Sequence, residues 1–125
     1  MEKKCFKDRK FKLWFYQASH SEAIIRSSKV DLDKIYDTNI DIYFGDIKYI
    51  EIPCMFQGLQ IDMATEDDAI YLSQKMGKDI FIKNITVLLS EGKKYYVVAS
   101  IFKIMENDLD YGVLPIHVFF TNKEI

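Results

Sequence analysis

Residues 38–53, TNIDIYFGDIKYIEIP, constrain the fold more than any other stretch, because large apolar side chains occupy both faces of what reads as extended chain. Ile40, Ile42 and Phe44 alternate with Asn39, Asp41 and Tyr43, the period of two that places one set on the core face of a strand. Gly45-Asp46 then predicts a two-residue type II′ turn, in which glycine takes a positive φ with no Cβ penalty. The resulting hairpin sets Phe44 opposite Ile47, Ile42 opposite Tyr49, Ile40 opposite Glu51 and Asp41 opposite Ile50. Neither face is wholly polar. Such a hairpin is either covered on two sides or contains a bulge that resets its register.

The rest of the chain repeats this β character. Residues 11–18 (FKLWFYQA) place Phe11, Leu13 and Phe15 on one side and Lys12, Trp14 and Tyr16 on the other, and residues 22–28 (EAIIRSS) read as a partner strand after the polar break at Ser19-His20-Ser21. Residues 29–37 are polar and read as a loop. Pro53 ends the central hairpin, since it has no amide hydrogen for a ladder, and residues 59–63 alternate as a short strand. Thr65, with Asp68 three residues on, is the clearest helix start. Ala69, Leu72 and Met76 follow at helical spacing and Gly77 supplies a stop, predicting one short helix over residues 66–76. Residues 79–84 and 85–89 return to strand character, and residues 94–105 (KYYVVASIFKIM) form the longest β-like segment. Both of its faces are apolar, which suits a sheet covered on two sides or a barrel wall with an outer layer. Residues 106–112 read as an acidic loop. Residues 113–121, with Pro115 near the start, read as a last strand at an edge, the place where a homodimer would form. The expected fold is mainly β, bordering on α+β, with seven or eight antiparallel strands in a sandwich or partly open barrel and one helix against it.

A chain of 125 residues has the size of a single domain. With 49% apolar and 14% aromatic residues it can fill one core. The formal charge of −2 and pI of about 5.7 argue against a general nucleic-acid binder, which needs a surplus of Lys and Arg. Basic residues cluster at the start, from Lys3 to Lys12, where residues 1–9 read as a solvated basic arm that frays. Cys5 and Cys54 are expected as free thiols of a cytoplasmic protein, and the apolar runs are too short to span a membrane.

The chain contains no glycine-rich phosphate loop, GxSxG, HExxH or CxxC pattern, so no catalytic residue, cofactor or metal is expected. The acids Glu106, Asp108 and Asp110 miss calcium-loop spacing, because Gly112 stands in the wrong register. Two groups of residues remain as binding candidates. His20 lies at a tip between two strands, near Arg26, where it could hold an anion or act as a base. Trp14 and Tyr16 offer aromatic surface of the kind that carries interface energy.

The segments Phe11-Lys12-Leu13-Trp14, Ser19-His20-Ser21, Ile25-Arg26-Ser27 and Thr38-Asn39-Ile40-Asp41 together resemble a pattern found in small uncharacterised bacterial proteins of unknown function. The resemblance spans roughly the first third of the chain and brings no catalytic signature. It implies a bacterial cytoplasmic protein and singles out His20, Arg26 and Asp41. Two functions are therefore expected. One is a non-enzymatic binding protein, of immunity or accessory type, that masks a protein partner. The other is a small-ligand-binding or hydrolytic domain with a pocket near His20 and Arg26. They differ in whether Trp14, His20, Arg26 and Asp41 meet at a concave pocket or scatter over a convex face.

Overall fold

The computed structural model describes residues 4–31 and 34–115. Six antiparallel strands, β1 (Lys4–Gln17), β2 (Glu22–Ser27), β3 (Asn39–Glu51), β4 (Met55–Met63), β5 (Ile85–Ser90) and β6 (Lys93–Asn107), make a single sheet. Their order is β1-β2-β3-β6-β5-β4, and β4 pairs back onto β1 to close a barrel. The fold is mainly β. Among the described residues it has six strands in a ring, where seven or eight strands in a sandwich or open barrel were expected. Each strand has two neighbours, so none of the six offers a free edge.

The largest departure is at residues 38–53, which form one continuous strand and not a hairpin. Gly45 does not turn the chain but pairs with Ile101 of β6. Asp46 takes the positive φ instead, at 53°. The register with β6 slips between Ile47 and Tyr49, leaving Lys48 as the extra residue of a bulge. The positive φ at Asp46 and the extra Lys48 together explain the apolar pattern on both faces. Ile47 and Ile50 both reach the core inside the barrel, and Tyr49 turns outward. Asp41 accordingly lies opposite Arg26 of β2 and Met105 of β6, not opposite Ile50.

Of two further expected strands, one is not formed and the other lies mostly outside the described residues. Residues 79–84, expected as a strand, are a connector ending in a 3-10 turn at Ile82–Asn84. In the last expected strand, residues 113–115 are irregular, and 116–121, which include His117, lie outside the described residues. From Lys4 onward the basic start of the chain is the first half of β1, paired with β4.

The barrel interior is filled by Phe11, Ile25, Ile42, Phe44, Phe56 and Leu88 with their neighbours. A barrel of eight strands is only just wide enough to be filled by its own side chains, so one of six leaves no room inside for a ligand. Any site must lie on the outer wall.

That wall is covered in two places. The helix α1 (Glu66–Met76) buries Leu72 against Ile85, Val87, Tyr96 and Val98. Thr65 caps it as expected: the Asp68 amide donates to the Thr65 hydroxyl, and the Thr65 amide donates to the Asp68 carboxylate at 2.8 Å. Asp68 also accepts from Tyr96 Oη at 2.7 Å and Lys94 Nζ at 2.9 Å, which ties the cap to β6. The second cover is the strap 108–115 after β6. Its Leu114 packs on the outward side chains Ile24, Tyr43 and Met105.

Two consequences can be measured. Gly58 sits where β1 bulges against β4, with φ of +73°, and a Cβ there would lie 2.7 Å from the Lys7 carbonyl oxygen. Gly58→Ala should cost about 1–3 kcal/mol of stability in urea unfolding, and a neutral result would show that this bulge yields easily. Burial works to raise the pKa of Asp68, but hydrogen bonds from Thr65, Tyr96 and Lys94 outweigh it and hold the carboxyl at about 2, against 3.8 for the free group. A depressed folded value stabilises fully above the unfolded pKa and is lost as pH falls through the folded one. Asp68→Asn should therefore lose about 2 kcal/mol at pH 7, and its gap to the wild type should narrow between about pH 4 and pH 2.

Candidate functional site

Arg26 is the largest fully buried side chain among the described residues, and it stands on the outer face of β2, not in the barrel core. Alternation dictates this placement. Ile25 faces the interior, so Arg26 must face the wall side, next to Asp41 at the same level of β3. The two make a bidentate pair, Nε to Oδ1 at 2.7 Å and Nη2 to Oδ2 at 2.9 Å, with neither side chain exposed. Asn107 Nδ2 donates to the same Asp41 oxygen at 2.8 Å, and Arg26 Nη2 also donates to the Val113 carbonyl at 2.7 Å. The pair thus joins β2, β3, β6 and the strap. One atom is left over. Arg26 Nη1 is buried and has no hydrogen-bond partner, the only such side-chain atom among the described residues.

Trp14 stands beside this group because β1 carries its own bulge. The pairing with β2 shifts between Leu13 and Phe15, so Trp14 is the extra residue. Leu13 faces the core, and Phe15 packs outward with Ile24. Trp14 lies on the outer face as well, with the Arg26 guanidinium carbon 5.7 Å from its ring centroid. Tyr111 of the strap meets Trp14 edge to face, centroids 5.2 Å apart at 80°.

These residues border a cavity of about 530 Å³ on the barrel wall. Arg26, Trp14 and Tyr111 line one part of it. Lys10 and Lys12 of β1 and Ser28, Val30 and Asp31 after β2 line the rest. The volume falls in the ordinary range for small-molecule sites.

Of the five residues singled out from sequence, the structure brings three together. Arg26 and Trp14 line the cavity, and Asp41 stands behind Arg26, where it orients the guanidinium and neutralises it. Tyr16 departs from Trp14, because the β1 bulge moves it to the level of Ala23, where it is half exposed at the barrel end. His20 is also elsewhere. It ends the exposed 3-10 turn Ala18–His20 between β1 and β2, and β2 runs about 13 Å from Glu22 to Arg26 at the usual rise. His20 Nδ1 lies 3.0 Å from the hydroxyl of its neighbour Ser19, a local contact on an exposed turn. His20 is not among the residues that line the cavity beside Arg26.

Lys10, Lys12, Val30 and Tyr111 were not anticipated as site residues. Lys12 and Trp14 do share a strand face in the sequence pattern, and Lys10 extends that face by one step. Tyr111 had no such signal, since only the strap's path over the barrel brings it to Trp14.

Compared with known proteins, the chain matches no family model, no curated protein and no solved structure.

The pair can be tested directly. Asp41→Ala should cost about 3–5 kcal/mol in urea unfolding, because it strands a buried guanidinium. The double change Arg26→Met/Asp41→Leu should cost clearly less. Equal losses in the two proteins would mean that the charge pairing is not what the wall depends on.

Proposed function

We propose that this is a non-enzymatic binding protein whose ligand enters the cavity beside Arg26. The observation that carries this reading is the meeting of Trp14 and Arg26, with Asp41 behind, at one concave site. A buried donor without a partner costs about 1–3 kcal/mol or more, and Arg26 Nη1 is such a donor on a residue of the cavity wall. A polar ligand atom placed there would remove that cost. Catalysis has less support, because His20, the residue on which that reading rested, does not line this cavity.

A second reading keeps the immunity-type or accessory role, with the same face masking a protein partner. It rests on the exposed apolar side chains beside the cavity, Val30 at 52%, Tyr111 at 70% and Val113 at 47%. Such a rim around a pocket resembles the surroundings of an interface anchor.

Thermal unfolding in the presence of fractionated extract from the source cells tests both. A ligand at one hundred times its dissociation constant stabilises by about 2.7 kcal/mol, enough to raise Tm by several degrees. The rise is expected with a small-molecule fraction and should disappear in Trp14→Ala. A rise confined to the macromolecular fraction would favour the protein-masking role. A rise that survives both Trp14→Ala and Lys12→Glu would remove the cavity from the account.

A further inference from the structure

Three cationic side chains border the cavity, and their arrangement selects among anions. Lys12 lies directly opposite Arg26 in the β1–β2 register, and Lys10 is two residues along the same strand. No ion pair or hydrogen bond among the described residues neutralises either lysine. Asp41 already balances Arg26 from behind, and Asp31, the one carboxylate on the lining, has an interaction of its own. The cavity therefore carries an excess of positive charge although the whole chain has a formal charge of −2.

The shape of the donor set narrows the choice further. A carboxylate ligand is best met by the two-pronged edge of a guanidinium, with two parallel hydrogen bonds. Here that edge, Nε and Nη2, is taken by Asp41. What remains towards the cavity is two ammonium groups on a neighbouring strand, since Nη1 is itself enclosed. Lysine acts on phosphate as a point charge, and two such charges suit a tetrahedral dianion with several terminal oxygens.

The volume asks for more than a phosphoryl group alone. At about 530 Å³ the cavity can also hold a ring system, and Trp14 and Tyr111 give it an aromatic wall whose mutual edge-to-face contact fixes their geometry. Planar rings gain from stacking on such side chains with little dependence on their substituents.

Resting on the binding reading above, we propose that the cavity takes an aromatic phosphate monoester of nucleoside monophosphate size. Its phosphoryl group lies against Lys10 and Lys12 beside the Arg26 guanidinium, and its ring lies against Trp14 and Tyr111.

Trp14 is the single tryptophan of the chain, so its emission reports directly on this site. The full-length protein would be titrated with adenosine 5′-monophosphate, phenyl phosphate, adenosine, benzoate and inorganic phosphate, with calorimetry to confirm each affinity. Saturable changes are expected with adenosine 5′-monophosphate and phenyl phosphate. Adenosine should bind at least tenfold more weakly, and inorganic phosphate should compete with both esters. Lys10→Gln/Lys12→Gln changes only surface positions of β1 and should reduce monophosphate affinity at least tenfold with Tm kept close to that of the wild type. Equal affinity for adenosine and its monophosphate, or for the wild type and the lysine variant, overturns the proposal. Benzoate binding as tightly as phenyl phosphate also overturns it, but leaves the cavity a binding site. Silence from all five probes overturns this ligand class, and the extract experiment then decides alone whether the cavity binds anything.

Discussion

A buried arginine on the outside of a barrel is a demanding arrangement, and the upper wall of this protein depends on how it is met. Desolvating a guanidinium and a carboxylate costs several kcal/mol for each ion, and their attraction repays this only when geometry is good and the remaining valences are used. Arg26 and Asp41 meet the first condition with their two short parallel bonds. They come close to meeting the second through Asn107 and the Val113 carbonyl. Those two contacts reach β6 and the strap, so the solvation of one ion pair helps to fasten the strap over β2 and β3, together with the bonds from Asn39 to Leu109 and Lys29 to Asp108. Nη1 is the exception, enclosed and without a partner among the described residues.

The wall needs this cover because of how the barrel is built. Strands β2, β3 and β6 carry apolar residues on both faces, and closing the sheet buries only the inward set. The outward set has to be hidden by something else. At one end α1 does this for Val98, Tyr96 and Val87, and its Asp68 bonds to Tyr96 much as Arg26 bonds to the strap. At the other end the strap covers Ile24, Tyr43 and Met105. In both places a buried charged group makes the attachment directional where apolar contact alone would let the cover slide.

Most local decisions were legible in the sequence. The helix limits followed from Thr65, Asp68 and Gly77, because capping is a matter of a few adjacent residues. The turn at residues 18–21 followed from a polar break between alternating runs. What escaped were features decided by partners far along the chain. Gly45-Asp46 has the composition of a turn, and it stays within one strand only because β6 runs beside it from Tyr96 to Asn107. The extra residues Lys48 and Trp14 shift the alternation that follows them, so Tyr16 was assigned to the face of Trp14 by counting twos across a place where the count slips. The identities of Trp14, Arg26 and Asp41 as a group were visible, but their meeting with Lys10 and Tyr111 depends on ring closure and on the strap.

The bulge at Trp14 explains why a cavity exists at this point of the wall. An extra residue on one strand bends it and strengthens its twist. With Trp14 in that position, β1 holds a large ring outward next to Arg26. The strap then meets the ring edge-on through Tyr111 and does not lie flat on the sheet. The loop after β2 leaves the wall at Ser28, and its own backbone bonds, Asp31 to Lys34 and Tyr36 to Lys29, fold it back on itself. A gap between strap, loop and β1 is what remains, floored by a side chain that no other residue fully satisfies. An apolar residue in place of Arg26 would let the wall close by packing alone. The guanidinium keeps the strap attached through the Val113 carbonyl and leaves Nη1 without a partner, and the proposed site borders this residue.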